Sequence, residues 1–488
     1  MKNTKNINVT AIITVLVISA FIATFNETVL NVALSSIMKE MDATTGTVQW
    51  LITAYMIVTS VMVPVTAFLI QTFKTKNLFL SALGLLLLGT ISAACSGSFI
   101  MLMISRMIQA SGTGMMIPIM MNTVLLVSPK EKVGSSMAVC VCAVSLGPAF
   151  GPTVSGVILQ YFSWHALFIV LIPIIILVML LGKIILVDVV EVTKPKMDYL
   201  SILLSTIGLG AIIYGISSVT AGDIKVTLLS FIVGIVCMVI FAKRQVYLEE
   251  PMLNLSPFKY PKFVIGVLLV MVAMMIMFTM NVMLPMYLQG SLGTSSFIAA
   301  IALLPAVLCN GVATSIGGKI YDKAGVKWLV PVGVGIIAIF AFVLAQSNSG
   351  TSLIKVIIIY MCICIGVGFT MSPSQTHSLN QLPKEYYPHG VAIVNTFQQV
   401  SAAIGSSLFM GIMSAVQVKT LAAGNVTNEA AVAAGFSNAT MVAVGIAVIG
   451  LSLSFAFGRG KYQLRSKKDK ILEWFGIVLI IERSKAGK

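Results

Sequence analysis

Apolar runs of about twenty residues alternate with short polar breaks along almost the whole chain. At a rise of 1.5 Å per helical residue, each run is long enough to cross about 30 Å of hydrocarbon. The pattern predicts an all-α polytopic membrane protein with both chain ends on one side. The fourteen predicted transmembrane helices span residues 9–32, 47–69, 77–97, 100–126, 134–160, 165–187, 198–219, 223–242, 263–288, 295–318, 328–346, 352–373, 390–415 and 436–458.

The basic residues are distributed unequally between the two sides of this predicted topology. The side that holds both termini carries 26 of the 31 Lys and Arg residues, the opposite side has four, and Arg106 lies deep within a span. Because cytoplasmic loops of membrane proteins are enriched in Lys and Arg, this bias predicts that both termini are cytoplasmic. The four basic residues on the opposite side are Lys39, Lys225, Lys355 and Lys419.

The composition excludes an ordinary soluble enzyme. Hydrophobic residues make up 58% of the chain and charged residues only 10%, against about 25% charged in soluble proteins. Mean hydropathy is +1.01. A net charge of +15 could indicate a nucleic-acid partner, but basic membrane loops give the same excess, and we expect the lipid bilayer rather than nucleic acid as the partner.

The cysteines and the glycine-containing segments do not form metal-binding or nucleotide-binding motifs. All seven cysteines fall within predicted spans, without the spacing of zinc ligands or of a disulfide framework. We therefore expect no metal and no cofactor. The chain also lacks the G-x-x-x-x-G-K-S/T phosphate-binding loop, so the sequence predicts no ATP site of this type.

Each end of the chain combines basic residues with an apolar run. The first apolar segment comes directly after two basic residues, Lys2 and Lys5, as the core of a secretory signal does. It is longer than such a core and contains Glu27 and Asn31, so we predict a helix that is retained in the protein. The basic tail, residues 459–488, contains an apolar run at 471–481 that is too short to span. We expect this tail to be disordered or to lie along the anionic inner leaflet.

Two charged side chains fall deep inside predicted spans, Glu27 and Arg106. A charge at the bilayer centre costs at least about 2.5–3.5 kcal/mol on insertion scales, so each needs a partner, a hydrated cavity or, for Glu27, a proton. Glu27 is therefore a candidate proton-binding switch and Arg106 a fixed positive charge. Two alternatives remain: Glu27 could lie near the outer face in water, and Arg106 could satisfy loop carbonyls.

Uncharged polar residues interrupt many of the apolar runs. One or two such residues are typical of hydrogen bonds between helices, whereas so many predict that some line a water-filled cavity. Methionines of the span 263–288, Met280 among them, could form its apolar wall, although lipid-facing positions explain most of them equally well. The polar residues are Asn26, Asn31, Gln49, Gln109, Asn122, Asn281, Gln289, Asn310, Asn395, Gln398 and Gln399.

Two segments resemble the loop signature G-x-L-x-D-R/K-x-G-x-R/K of the major facilitator superfamily. Residues 317–327 have the sequence GGKIYDKAGVK, and the resemblance implies that Asp322, with Gly318 and Gly325, forms a conformational latch. Residues 67–76, AFLIQTFKTK, keep the spacing but have Gln71 in place of the acid. The offset of 251 residues between the copies fits two six-helix bundles separated by two inserted helices.

One further motif resembles a pattern of the superfamily, and a second narrows the resemblance to its drug:proton antiporters. Residues 106–114, RMIQASGTG, are similar to R-x-x-Q-G-x-G, with Ala110 replacing the first glycine. Residues 147–152, GPAFGP, resemble the G-P-x-x-G-P motif of the antiporters, which implies an antiporter kink at Gly147, Pro148, Gly151 and Pro152. A purely structural kink without antiport is the alternative.

Residues 26–34, NETVLNVAL, resemble the L-D-x-T-x-x-N-x-A-L motif of the fourteen-helix antiporter branch. Asn26 occupies the Asp position and Glu27 supplies an acid one residue later. Since one residue rotates the side chain by about 100° around a helix, the role of the Asp does not transfer automatically to Glu27.

The resemblance implies a bacterial plasma-membrane exporter that exchanges protons for small lipophilic substrates, as in the branch that exports lincosamide-like antibiotics and other drugs. Its expected organisation is an N-terminal bundle at 1–187, inserted helices at 188–250, a C-terminal bundle at 251–458 and the tail. We expect a monomer. Glu27 is the expected proton-coupling residue, and the candidate cavity residues are Asn31, Tyr55, Arg106, Gln109, Met280 and Asn395.

Two other functions remain as alternatives. A lipid or metabolite exporter on the same scaffold would differ in substrate alone. A membrane-embedded enzyme would need a clustered nucleophile, base or metal site, yet the three histidines are scattered, with His165 and His389 at loops and His377 in a predicted turn beside Pro373. We therefore predict that the chain is not an enzyme.

Overall fold

The structure is a computed structural model, and it describes residues 8–43, 45–188, 198–218, 224–248, 251–294, 296–423 and 426–457. Every regular element in these residues is helical, which confirms the predicted all-α class. Four short 3-10 helices occur at Val29–Val32, Lys130–Lys132, Ser256–Lys259 and Lys384–Tyr386. The α-helices are α1 Val9–Thr28, α2 Leu34–Glu40, α3 Thr45–Thr72, α4 Thr75–Ala94, α5 Phe99–Val127, α6 Val133–Tyr161, α7 His165–Ile185, α8 Tyr199–Ser218, α9 Ile224–Tyr247, α10 Pro261–Gly290, α11 Ser296–Ala324, α12 Leu329–Ala345, α13 Leu353–Asn380, α14 Tyr387–Ala422 and α15 Asn428–Phe457.

The helices agree closely with the predicted spans. Within the described residues, thirteen helices are long and apolar enough to cross a membrane, and the 17-residue α12 is a shorter apolar helix. Together these fourteen helices correspond one to one with the fourteen predicted runs. The short α2 is additional, because the chain leaves α1 through a 3-10 turn and forms seven more helical residues.

Several helices continue beyond their predicted ends, and two of these extensions contain residues that the sequence analysis placed in a loop or a turn. The loop signature is helical through Ala324, the last residue of α11. The next residue, Gly325, has a φ of 71°, which suits glycine, and its N–H donates to the Tyr321 carbonyl at 2.8 Å. The predicted turn at His377 is wrong, since α13 continues to Asn380. The polar residues after Pro373 are buried against neighbouring helices rather than solvated in a loop.

The chain divides into two compact units, residues 1–198 and 199–488, so the inserted helices α8 and α9 group with the second unit. The finer boundaries at 187, 250 and 458 remain predictions. The tail 459–488 and most of the segment between α7 and α8 lie outside the described residues.

In the first unit, α5 packs closely between α3 and α4. A Cβ at Gly112 would lie 2.5 Å from the Ala82 carbonyl oxygen on α4, and one at Gly114 would lie 2.6 Å from the Thr59 carbonyl oxygen on α3. Small residues at helix contacts allow such close backbone approach. This packing places the polar face of α5, which begins with Arg106, in the interior of the unit.

In the second unit, α13 packs against several neighbours through glycines. A Cβ at Gly366 would approach α12 at the Gly333 carbonyl oxygen, and one at Gly368 would approach the Thr314 amide on α11, at 2.6 and 2.7 Å respectively. The Asn310 amide donates to the Cys364 carbonyl at 2.9 Å, which joins α11 to α13. This close packing buries most of the second half of α13 against neighbouring helices.

The segment between α9 and α10 is held by two buried side chains. Gln245 donates to the Ser201 hydroxyl at 2.5 Å and accepts from the Leu253 amide at 3.0 Å. The Asn254 amide donates to Nδ1 of His389 on α14 at 3.1 Å. These bonds connect the inserted helices to the rest of the second unit.

Candidate functional site

The end of α1 is the centre of the candidate site. The α-helix ends at Thr28 and continues as the 3-10 helix Val29–Val32. Arg106 of α5 donates from Nη1 to the Asn26 carbonyl at 2.9 Å and from Nη2 to the Glu27 carbonyl at 3.1 Å. A guanidinium at this position also interacts favourably with the partial negative charge at a helix C-terminus.

Arg106 is completely buried and has further partners. Its Cζ lies 4.0 Å from the centroid of the Tyr55 ring, a cation–π contact. Nη1 also donates to Oε1 of Gln109 at 3.0 Å, and Gln109 donates to the Thr90 hydroxyl at 3.0 Å. Arg106 thus satisfies carbonyls, as one sequence interpretation proposed, but they belong to a helix end rather than a loop.

Tyr55 joins α1 to α5 by hydrogen bonds. Asn26 Nδ2 donates to the Tyr55 hydroxyl at 3.4 Å, and this hydroxyl lies 2.6 Å from the Thr113 hydroxyl. Either hydroxyl of the Tyr55–Thr113 pair can donate, because each has one hydrogen and can also accept. Thr113 was missed from sequence, although its spacing of seven residues from Arg106 places both on one face of α5.

Glu27 and Asn26 occupy different environments despite being adjacent. The Asn26 side chain is fully buried, whereas the Glu27 side chain is partly exposed. Among the described residues, the Glu27 carboxylate makes no hydrogen bond and no ion pair. Glu27 therefore does not take the place of Asn26 beside Tyr55. It presents an unpaired carboxylate on the turn whose carbonyls Arg106 holds.

The glycines of the GPAFGP motif bring α6 against this same turn. A Cβ at Gly147 would overlap Oγ1 of Thr24, and a Cβ at Gly151 would overlap Oγ1 of Thr28. Thr28 also donates to the Pro148 carbonyl at 3.3 Å. The close approach of α6 to the end of α1 therefore depends on these two glycines.

The 3-10 helix after α1 is also bonded to α6. The Ser155 hydroxyl donates to the Val29 carbonyl at 2.6 Å and lies 2.7 Å from the Gly151 carbonyl oxygen of its own helix. The side chains of Asn31 and Pro152, both predicted site residues, lie outside the described part of the structure. Their backbones fall within the 3-10 helix and α6.

The predicted latch residues lie at the end of α11. Gly318 is buried, Asp322 is partly buried in the last helical turn, and Gly325 ends the helix. Beside Asp322, the Tyr321 hydroxyl accepts from the Asn380 amide at 3.2 Å, which joins the ends of α11 and α13.

The corresponding position in the first unit has a different arrangement. Gln71 donates to the Ala67 carbonyl of its own helix at 2.9 Å. Asp188, which follows α7, accepts from the Lys76 amide at 3.2 Å and lies 3.9 Å from Nζ of Lys74. A carboxylate from another segment therefore caps the N-terminus of α4, a contact that sequence reasoning missed.

The predicted cavity residues fall in both units. The structure brings Tyr55, Arg106 and Gln109 together in the first unit, whereas Met280 on α10 and Asn395 on α14 are buried in the second. Neither the amide nitrogen nor the amide oxygen of Asn395 has a hydrogen-bond partner among the described residues. The described residues also contain no group of three or more His, Cys, Asp or Glu side chains that could hold a metal.

Comparison with known proteins identifies the family. The sequence pattern of the Major Facilitator Superfamily matches residues 16–406. The chain belongs to this superfamily. It is 39% identical over 470 residues to the lincomycin resistance protein LmrB of Bacillus subtilis, an alignment that covers 94% of this chain and 98% of that protein. It is 38% identical over 458 residues to the protein of the same name from Listeria monocytogenes, with 92% and 97% covered.

Solved structures of the superfamily have the same fold. The proton:xylose symporter XylE, bound to 6-bromo-6-deoxy-D-glucose, aligns with a TM-score of 0.65 at 14% identity, covering 92% of this chain and 96% of that chain. At this identity the likeness concerns the fold alone. The predicted family and the predicted superfamily fold are confirmed. Together with the helices that are long enough to cross a membrane, the family match identifies a multi-pass membrane transporter.

Proposed function

We propose that this transporter exports lipophilic, often cationic drugs or antibiotics in exchange for protons, by alternating access. Relatives named for lincomycin resistance, aligned over nearly the full chain, support export of drugs. The observation that carries proton coupling is the unpaired, partly exposed carboxylate of Glu27 beside Arg106, within a predicted membrane span.

The proposed coupling acts on the end of α1. Deprotonated Glu27 is attracted by the positive charge of Arg106 and favours the inward-open, drug-binding state. Protonation from outside removes this attraction and favours drug release. Arg106 donates hydrogen bonds to the carbonyls of Asn26 and Glu27. A change of charge at Glu27 therefore alters the electrostatic interaction that acts on the turn in contact with α6.

The proposed setting follows from the charge distribution. We place the protein in the bacterial plasma membrane as a monomer. Both termini are assigned to the cytoplasm because the basic residues concentrate on that side of the predicted topology. Its partners are protons, small lipophilic substrates and the bilayer, and it acts as a transporter rather than as an enzyme.

The proposal is tested in proteoliposomes containing the purified full chain. With an acidic lumen and a neutral exterior, molecules whose cytoplasmic face points outward should accumulate lincomycin and tetraphenylphosphonium in the lumen, and a protonophore should abolish the accumulation. Adding either compound to detergent-solubilised protein in weak buffer should release protons. Accumulation that ignores the pH gradient would contradict proton coupling. Accumulation of neither compound would favour export of a lipid or metabolite.

A further inference from the structure

We infer that α13 and α14 form a neutral hydrogen-bonding subsite, centred on Asn395, that binds a hydroxyl or amide group of the transported compound. This inference rests on the proposed export function and specifies the substrate chemistry. Its starting observation is that Asn395 is 4% exposed while neither end of its amide has a partner within the described residues.

The other buried amides in this unit behave differently. Asn310 donates to the Cys364 carbonyl, Gln245 is bonded at both ends, and Gln398 donates to Gln375. Burying an amide without hydrogen bonds costs roughly 1–3 kcal/mol on protein mutational scales. Amides that serve the fold are therefore bonded here, and Asn395 differs from them.

The helix geometry places more polar groups at the depth of Asn395. Leu379 of α13 lies against Gly390 of α14, where an added Cβ would be 3.1 Å from Leu379 Cδ2. Counting from that contact, Gln375 lies about 6 Å back along α13 and Asn395 about 7.5 Å forward along α14, at 1.5 Å per residue. Because these helices are joined by the short segment 381–386, they run antiparallel, and Gln375 and Asn395 are level.

Hydrogen bonding supports the same assignment. Gln398 donates to Oε1 of Gln375 at 3.5 Å, which joins α14 to α13. Asn395 precedes Gln398 by three residues, and Ser372 precedes Gln375 by three, so each pair is adjacent on its helix surface. The Ser372 hydroxyl is fully buried and also has no partner within the described residues.

The third neighbouring helix, α10, does not offer a polar side chain at this depth. Gly390 lies near Phe263, and Gly405 lies near Met275, so α10 and α14 run in the same direction and Asn395 is level with about residue 267. Residues 263–270 have the sequence FVIGVLLV. The subsite therefore combines amide and hydroxyl groups with an apolar wall.

The chemistry of the subsite defines its ligand. None of the buried residues described in this unit is Asp, Glu, Lys or Arg, so the subsite has no fixed charge to bind an ion strongly. A primary amide offers both donors and an acceptor, which complements a neutral hydroxyl or amide group. Charge recognition is left to other parts of the protein, and Asn395 discriminates between compounds with and without such groups.

The test compares two probes in the full-length protein. Lincomycin carries hydroxyl groups and an amide, whereas tetraphenylphosphonium carries neither. Asn395→Leu, of similar volume, should raise the Kd for lincomycin about tenfold, equivalent to 1.4 kcal/mol, and leave that for tetraphenylphosphonium within twofold. Asn395→Ser, which keeps one hydroxyl, should fall between Leu and wild type. Thermal stability should stay at or above the wild-type value, because Leu removes unpartnered polar atoms.

Asn310→Leu is the matched control. It removes a buried amide that has a partner, so it should lower thermal stability and affect both probes equally. An unchanged lincomycin Kd in Asn395→Leu, equal weakening of both probes, or a loss of stability like that of the control would overturn the inference and leave the export function intact. Wild-type proteoliposomes that accumulate neither probe would overturn the function, and the inference with it.

Discussion

Arg106 on α5 donates a 2.9 Å hydrogen bond to the main-chain carbonyl of Asn26, just before α1 changes from an α-helix to a 3-10 helix. The arginine therefore bonds to the backbone of the helix that carries Glu27. A main-chain contact of this kind tolerates a change of side chain at position 26, and Asn26 does replace the Asp of the branch motif.

Arg106→Lys should impair transport severely although it keeps the charge. A lysine ammonium cannot place two nitrogens on the Asn26 and Glu27 carbonyls while lying flat over Tyr55. Loss of a charge-assisted hydrogen bond costs about 1.5–3 kcal/mol, so we expect at least a tenfold lower transport rate and a lower melting temperature. Proteoliposome uptake and thermal unfolding measure the two effects.

Tyr55→Phe is a milder change in the same cluster and is compared with Arg106→Lys. It keeps the ring below the guanidinium and removes only the hydroxyl that lies between Asn26 and Thr113. Its effect should be smaller than that of Arg106→Lys. If Arg106→Lys transports as wild type does, the double carbonyl contact is not required.

Gly147→Ala and Gly151→Ala should each lower transport and stability, whereas Gly156→Ala should do neither. A methyl group at the first two positions would overlap Thr24 or Thr28, but a Cβ at Gly156 meets nothing within 4 Å. Overpacking typically costs about 1–3 kcal/mol. Transport and melting temperature measured for the three variants test the difference.

A second substitution tests whether the overlap is the cause. Thr28→Ala removes the hydroxyl that a Cβ at Gly151 would overlap, so Gly151→Ala with Thr28→Ala should recover part of the lost stability. Equal tolerance of alanine at all three glycines would instead mean that α6 can move away from α1 without loss.

The number and placement of the helices follow from the sequence because apolar length and basic loops are local signals. The positions of the helix ends do not follow from the sequence. Ser374 and Ser378, for example, look like loop residues but are buried in α13. Whether a polar residue lies in a loop or against a neighbouring helix is decided by tertiary packing, which a single sequence does not contain.

In the candidate site too, some features could be predicted from the sequence and others could not. The sequence identifies Arg106 and Gln109 through a motif, and Tyr55 through resemblance. The arginine's carbonyl partners, the Thr113 hydroxyl and the capping of α4 by Asp188 involve contacts 58 to 112 residues apart in the chain. Contacts at such separations leave no periodic pattern, so only the structure reveals them.

The membrane topology is testable with single cysteines in a cysteine-free background. A cysteine at Ser349 should react with an impermeant maleimide added to intact cells, and one at Lys384 only after the membrane is permeabilised. Both positions are exposed in the structure, so unequal reactivity would reflect the side of the membrane. Labelling of position 384 in intact cells would contradict the proposed orientation.

The latch hypothesis predicts unequal effects of two matched substitutions. Asp322→Asn should slow transport several-fold without reducing expression, because it removes a carboxylate that can make charge-assisted hydrogen bonds. Gln71→Ala should be milder, since Gln71 bonds only to its own helix among the described residues. Uptake rates at equal protein density provide the comparison. Equal, negligible effects would mean that the signature serves only to end the helix.

Glu27→Gln tests coupling most directly, because glutamine mimics the protonated carboxyl group in shape. The variant should fold, since it removes a partly buried charge that has no ion-pair partner among the described residues. It should lose accumulation of drug driven by a pH gradient. Drug binding should no longer release protons, and binding of a cationic drug should no longer weaken as the pH falls. Downhill drug exchange should survive, because it needs no net change of charge at this site.

Glu131→Gln provides the matched control for this experiment. Glu131 is an exposed acid in the short 3-10 helix before α6, so neutralising it should leave both accumulation and proton release at wild-type levels. Wild type and the two variants are compared in proteoliposomes with and without an imposed pH gradient. If Glu27→Gln concentrates drug as well as wild type does, the coupling proton binds elsewhere. Arg106 then holds the end of α1 for structural reasons alone.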